Sequence, residues 1–167
     1  MKGAYKFKNV KNPKLRLLAS GLTLRFAISA ADILSKMNVA TEIWSVTSFN
    51  ELAREGTAVD REKSYESNQR KSYVEECFDA QMPTLAVSEY QKLYAEQIRK
   101  WVKGNYVCLG TDGFGRSDTR EKLRSFFEID TKHIVFNSLK ALNMNNEAKK
   151  YAKENNIKFN SKHYLKR

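Results

Sequence analysis

The residues of this chain best suited to chemistry stand between Gly110 and Arg120. They read Gly110-Thr111-Asp112-Gly113-Phe114-Gly115-Arg116-Ser117-Asp118-Thr119-Arg120. An apolar run (Tyr106, Val107, Cys108, Leu109) feeds this loop, and the loop feeds an amphipathic segment with Leu123, Phe126 and Phe127 on one face. Glycines permit backbone angles that other residues avoid, so the chain can turn sharply there. Ser117 or Asp118 can cap the helix that follows, because a short oxygen-bearing side chain accepts orphan backbone N–H groups. Such a helix start attracts anions, and Arg116 adds positive charge. The spacing is neither G-x-G-x-x-G nor G-x-x-x-x-G-K-[ST], so it does not specify dinucleotide or P-loop binding. The simpler reading is a structural turn with Arg116 paired to Asp112 or Asp118. The two aspartates, six residues apart, suit capping and a salt bridge better than an acid pair.

Other candidates are weaker. His133 lies near a helix start and His163 in the basic tail, and neither has a nucleophile or metal partner nearby in sequence. Ser20-Gly21 lacks the G-x-S-x-G setting of a nucleophile elbow. Cys77 and Cys108 are far apart without metal-like spacing, which predicts two reduced thiols in a cytoplasmic protein. Trp44 and Trp101 read as core or interface aromatics. No residue is therefore assigned a catalytic, cofactor-binding or metal-binding role.

The elements that would position these groups alternate in type. Leu15–Ser20 reads as a strand, turned by Gly21 into a helix over Thr23–Lys36, with Phe26, Ala30, Ile33, Leu34 and Met37 on one stripe. Ala40–Val46 reads as a second strand. Thr47-Ser48 then caps a short helix through Phe49, Leu52 and Ala53. Residues 54–72 read as a polar surface connection with one helical turn, broken by Gly56, Asp60, Ser64 and Asn68. Pro83 precedes a strand at Thr84–Ser88; Tyr94, Ile98 and Val102, beside Trp101, mark a helix before the strand at 105–109. Helices over 117–127 and Thr131–Asn143 follow, the latter with Ile134, Val135, Leu139 and Leu142 as its core face. This βαβα order predicts an α/β fold with a parallel sheet, in which the glycine loop lies at the carboxyl end of a strand. Residues 1–143 form one domain in this reading, and residues 144–167 a basic, helical extension.

Bulk composition agrees. A chain of 167 residues with 41% hydrophobic content suits one folded domain rather than a disordered segment. No apolar run approaches the ~20 residues of a membrane-crossing helix. Met1-Lys2-Gly3-Ala4-Tyr5-Lys6 lacks the apolar stretch of a signal peptide. The net charge is +11, concentrated in residues 131–167, where nine Lys and Arg face two Glu. A lysine-rich segment can meet nucleic acid, anionic lipid or an acidic protein, but it is commonly a solvated helix face. No RNP, zinc-finger or GXXG pattern supports nucleic acid.

Two segments go beyond pattern. Trp44-Ser45-Val46-Thr47-Ser48-Phe49-Asn50-Glu51-Leu52-Ala53-Arg54-Glu55-Gly56 and the run Leu109–Phe127 closely resemble the C-terminal domain of the homodimeric pyruvate dehydrogenase decarboxylating component. Leu17-Leu18-Ala19-Ser20-Gly21, Ala95-Glu96-Gln97-Ile98-Arg99 and Phe127-Glu128-Ile129-Asp130 fit in order, so the resemblance covers residues 3–143. Asp112-x-Phe114-Gly115-x-Ser117 with Leu123 and Phe126 is similar, more distantly, to the last domain of transketolases.

The resemblance implies a three-layer α/β/α sandwich with a mostly parallel sheet of about five strands. It implies a larger enzyme that decarboxylates pyruvate on thiamine diphosphate and acetylates a lipoyl group. In that family thiamine diphosphate and Mg²⁺ are held by two preceding domains across a dimer. The Gly-Asp-Gly…Asn metal motif is absent here, and Gly113-Phe114-Gly115 does not replace the hard oxygen ligands that Mg²⁺ needs. The implied partners are those domains, a second copy in a homodimer and the dihydrolipoyl acyltransferase core, with no membrane or nucleic acid. This domain's implied share is dimer support and assembly. One departure is clear: after Gly56 the family carries a Trp-Asn…Leu-His-Pro stretch, where this chain has Asp60-Arg61-Glu62-Lys63-Ser64-Tyr65. Two alternatives stand beside this reading. One is a non-catalytic module using its basic tail on an acidic partner or nucleic acid; the other is the matching piece of another 2-oxo acid dehydrogenase or a transketolase.

Overall fold

The computed structural model describes residues 2–65 and 69–158; Asn68 and His163 lie outside them. Five strands form one sheet in the order β1-β3-β2-β4-β5. Its parallel part is built from β2 (Leu15–Ala19), β3 (Thr41–Val46), β4 (Thr84–Val87) and β5 (Tyr106–Leu109). Strand β1 (Ala4–Lys8) runs antiparallel at the β3 edge, with a register break between Lys6 and Lys8. The sequence reading leaves this strand out, because only Ala4 enters a core and its aromatics do not: Tyr5 and Phe7 are half exposed. Lysines and a bulge are what a free sheet edge uses against unwanted pairing.

Side chains alternate across the central strands, so each face of the sheet feeds its own core. Leu15, Leu17 and Ala19 meet helix α1 (Thr23–Lys36), α6 (Thr131–Ala141) and α7 (Asn145–Glu154) on one face. Leu18, Trp44 and Ala86 meet α2 (Phe49–Tyr65), α3 (Tyr73–Cys77) and α4 (Lys92–Glu96) on the other. The three-layer α/β/α expectation is thus met. Ala148 of α7 is fully buried in the first of these cores.

The largest departure is α2, which runs through residues 54–65 where the sequence suggests a connection. Gly56 is no breaker here. A Cβ at that position would lie 2.7 Å from the Trp101 ring, so the missing side chain is the space the indole occupies. Trp101 continues along the helix and donates its Nε1–H to the Asp60 carboxylate at 3.1 Å. The expected helix at 94–102 is instead α4 followed by a 3-10 turn, Arg99–Trp101, that tightens to bury Ile98, Trp101 and Val102. Helix α3 was not anticipated, although Ser72-Tyr73-Val74-Glu75 is a capping box with both of its bonds present. Helix α6 stops at Ala141, not Asn143, because Asn143 turns to φ +61° and Met144 N–H bonds back to the Leu139 carbonyl.

At the amino end of the sheet Arg16 and Glu42 face each other across β2 and β3, 2% and 3% exposed. Arg16 Nε donates to Glu42 Oε1 at 2.6 Å and Nη1 to Thr84 Oγ1 at 3.2 Å. Trp44 Nε1 donates to the same carboxylate oxygen at 3.1 Å, and Lys6 Nζ lies 3.1 Å from the other. Burial alone would push the Glu42 carboxyl up, but the bonds from Arg16, Lys6 and Trp44 outweigh it and hold it below its usual range.

Two outcomes are expected. A carboxyl with a lowered folded-state pKa contributes stability above its unfolded pKa of about 4.3 and loses it as pH falls further. Urea titrations should show the free energy of unfolding declining below about pH 4.3. E42Q, which strands the buried Arg16 charge, should cost about 3 kcal/mol at pH 7 and flatten that decline. G56A should destabilise by about 1–2 kcal/mol although alanine is the better helix former, because the indole must move. A stabilised G56A would remove the close-approach explanation.

Candidate functional site

Strands β2 and β4 are neighbours whose following helices, α1 and α4, lie on opposite faces of the sheet. The crevice where such connections diverge is the usual ligand position of an open α/β sheet. Thr23, fully buried, holds its lip by donating to the Val87 carbonyl at 2.9 Å, and Ser20 N–H bonds to that carbonyl at 3.1 Å. A cleft of about 300 Å³ opens beside it, lined by Ser20, Thr47, Ser48, Phe49, Asn50, Tyr90 and Tyr94. Its polar groups are hydroxyls and one amide. Ser48 Oγ already caps α2 by accepting from Glu51 N–H at 3.1 Å, and Asn50 Oδ1 accepts from Gln97. Neither histidine nor carboxylate lines the cleft to serve Ser20 as a base.

A second hollow of about 450 Å³ lies past the ends of β4 and β5. Leu22, Leu123, Phe127 and Ile129 give it an apolar floor, and Arg120, Arg124, Glu89 and Thr111 a polar rim. Arg124 and Glu89 pair at 3.1 Å.

The glycine loop follows β5, the edge strand, and is therefore off the crevice itself. Its first residues are bonded to the β4–α4 connection. Thr111 N–H donates to the Tyr90 carbonyl at 2.9 Å, Thr111 Oγ1 donates to the Glu89 carbonyl at 2.6 Å, and Asp112 Oδ1 accepts from Lys92 N–H at 2.8 Å. A Cβ on Gly110 would lie 2.5 Å from the Tyr90 carbonyl oxygen. Gly113 has φ +88°, the left-handed region that favours glycine.

Several expectations for this loop are corrected. The helix cap is Thr119, not Ser117 or Asp118, and helix α5 spans Arg120–Phe126. Asp112 is paired with Lys92 and Asp118 with Lys122. Arg116 pairs with neither aspartate; its guanidinium stacks 4.4 Å over the Phe126 ring. The loop thus brings no pair of uncommitted carboxylates to one place, and the diphosphate–Mg²⁺ group of the resembled enzymes does not fit its donors.

The remaining candidates are scattered. His133 is buried and its Nδ1 lies 2.7 Å from Asp130 Oδ1, the oxygen that also caps α6. Burial, helped by nearby Glu96, pushes the Cys108 thiol up to about 12, and burial also raises Cys77. Both are then thiols at neutral pH, not thiolate nucleophiles. Among the described residues no three His, Cys, Asp or Glu side chains gather as a metal site. No described helix is long and apolar enough to cross a membrane. Sequence reasoning missed the crevice at Ser20 and Val87, since it depends on strand order; the short hydroxyl-rich turns at Ser20 and Thr47-Ser48 were its only trace.

Comparison with known proteins fits this geometry. A family profile described as "Transketolase-like TK C-terminal domain" matches residues 3–130. The pyruvate dehydrogenase E1 component of Pseudomonas aeruginosa is 46% identical over 150 residues, 85% of this chain and 17% of that protein. The same-named protein of Buchnera aphidicola is 43% identical over 166 residues, 95% of this chain and 19% of its own length. The match lies in the C-terminal part of these longer proteins. Among solved structures, the transketolase from Leishmania mexicana superposes with a TM-score of 0.62 at 21% identity, over 86% of this chain and 18% of that one.

The three loop glycines should respond differently to alanine. G110A should cost about 1–3 kcal/mol, since its methyl meets backbone that cannot retreat. G113A should cost about 1 kcal/mol through its left-handed φ. Gly115 has open space around its Cβ position, and G115A should be neutral within about 0.5 kcal/mol. Chemical denaturation of the three variants checks the order.

Proposed function

We propose that this chain, which belongs to the transketolase-like C-terminal domain family, is the C-terminal domain of a thiamine-diphosphate-dependent pyruvate dehydrogenase (acetyl-transferring) component. The complete cytoplasmic enzyme decarboxylates pyruvate and passes the acetyl group to a lipoyl arm. Thiamine diphosphate and Mg²⁺ are held by its other domains, and supply the carbanion chemistry there. The observation that carries the reading is identity of 46% across 150 residues with a protein of that name. Relatives of that similarity are about five to six times longer than the stretch they share with this chain.

The share of this domain is assembly. It is a three-layer sandwich in which key carboxylates are committed to structural partners: Glu42 to Arg16, Asp112 to Lys92, Asp130 to the α6 cap. That arrangement suits a buttress for the dimer and a surface for the acyltransferase core, and leaves no proton-transfer partner for the cleft hydroxyls.

A second reading rests on charge. Lys132, Lys149, Lys150 and Lys153 of α6 and α7 meet no carboxylate within ion-pair distance among the described residues. An acidic protein partner would find that face attractive, and such binding would weaken steeply with salt.

The test is direct. The purified chain should show a cooperative unfolding transition, yet titration calorimetry should detect no thiamine diphosphate binding with Mg²⁺ present. No CO₂ should be released from pyruvate. Turnover by the pure chain at an enzyme's ordinary rate, on the order of 10 s⁻¹, would overturn the assembly role.

A further inference from the structure

Eight large apolar side chains are prominently exposed among the described residues: Tyr5, Phe7, Leu22, Tyr65, Tyr90, Leu93, Tyr94 and Phe114. Five of these, Leu22, Tyr90, Leu93, Tyr94 and Phe114, follow the carboxyl ends of β2, β4 and β5. Tyr90, Leu93 and Phe114 are 63%, 68% and 78% exposed. The amino end of the same sheet is closed by the buried Arg16–Glu42 group. Such one-sided exposure, rimmed by polar residues, marks an interaction surface.

The surface is built, not incidental. Tyr90 precedes α4, Leu93 and Tyr94 are on it, and Phe114 is on the glycine loop. The two segments are locked by the Thr111–Tyr90, Thr111–Glu89 and Asp112–Lys92 bonds. Tyr90 and Tyr94 form a ring pair with centroids 5.7 Å apart, and both line the cleft beside Ser20. Rigid aromatics over a shallow cleft lose little conformational freedom on binding, which is why they anchor interfaces. The charges at the rim, Lys92–Asp112 and Arg124–Glu89, are already paired. The face therefore suits a neutral, apolar protein surface carrying acceptors for the tyrosine hydroxyls, rather than a polyanion. Among the described residues, lysines without an ion pair lie elsewhere, on α6 and α7.

We propose that this aromatic face is where the preceding domains of the longer enzyme pack, and that the glycine loop exists to hold it in shape. The proposal rests on the reading above of the chain as the C-terminal part of such an enzyme. The relatives supply the occupant: more than four-fifths of their length lies outside the match, and five of the eight exposed large apolar side chains among the described residues gather at this end of the sheet for it to meet.

The experiment co-expresses this chain, tagged, with the Pseudomonas aeruginosa relative truncated at the start of its match. The two should co-purify. A Y90S/L93S/F114S variant should bind at least about 30-fold more weakly, with an unchanged circular dichroism spectrum and a Tm within about 2 °C of the original, since the three side chains are exposed. A K149E/K150E/K153E control should bind as the original does. Equal binding by the aromatic variant would overturn the surface assignment while leaving the domain reading intact. Failure of the original chain to co-purify would sink the domain reading, and the assignment with it. Sedimentation provides the third outcome. Conversion of a dimer to a monomer by the aromatic variant, with the truncated relative still bound, would make the face a contact between copies and overturn the proposal.

Discussion

The buried pair of Arg16 and Glu42 is the constraint on which the rest of the sheet depends. Its two charges sit at register partners on β2 and β3, and a one-residue slip would place each on the opposite face. Thr84 on β4 and Lys6 on β1 complete their bonding. Four of five strands are thereby fixed relative to one another at a single level of the sheet. The Phe78 ring covers the guanidinium at 5.0 Å, and Phe78 belongs to the segment that α3 delivers. A buried ion pair of this kind adds little net stability over an apolar pair, but breaking it is costly. Its effect is to forbid other registers.

That closed end explains the openness of the other. Parallel strands all point their carboxyl ends the same way, so one end of the sheet collects every strand-to-helix turn. At the amino end of this sheet a network of fixed geometry consumes the polar groups. At the carboxyl end the turns Ser20-Gly21-Leu22, Thr47-Ser48-Phe49, Ser88-Glu89-Tyr90 and the glycine loop mix hydroxyls with exposed apolar side chains such as Leu22, Tyr90 and Phe114. Charge is divided just as unevenly between the helical layers. On the α2–α4 side, Lys63–Glu75, Arg70–Glu55, Lys71–Asp79 and Lys100–Asp60 pair acid with base. On the α6–α7 side, Lys132, Lys149, Lys150 and Lys153 have no carboxylate within ion-pair distance among the described residues.

The central strands and α1 were legible in the sequence because burial on both faces or on one stripe writes itself as an apolar period. What was not legible depended on contacts between distant residues. Gly56 reads as a breaker until Trp101, 45 positions later in the chain, is known to lie against it. Strand β1 carries aromatics that never enter a core, so its alternation looks like noise. The capping box at Ser72 and Glu75 was readable and was missed, its short helix lying in a polar stretch. At the site, the glycine loop was recognisable as a junction. Its partner, the β4–α4 turn, was not, because no sequence spacing reveals which loop an Asp112 side chain will cap. Arg16 and Glu42 were hidden for the same reason: a charged residue inside a strand pattern ordinarily means a solvent-facing position.

The glycine loop shows how a motif can be informative without being reactive. Its glycines differ physically: Gly110 allows backbone to touch backbone, Gly113 allows a left-handed turn, and Gly115 does neither. A phosphate cradle needs backbone N–H groups pointing into open space, whereas here Thr111 N–H is spent on the Tyr90 carbonyl. The helix beyond it is too short, and too weakly packed, with no buried residue of its own, to hold a charge against water. What the loop geometry does accomplish is to weld two connections into one platform and turn their aromatics outward. A chain evolved to bind a small anion would keep those N–H groups free. A loop built to be covered by more protein can instead tie its start to a neighbouring connection, as Thr111 and Asp112 do here, and leave a ring such as Phe114 exposed.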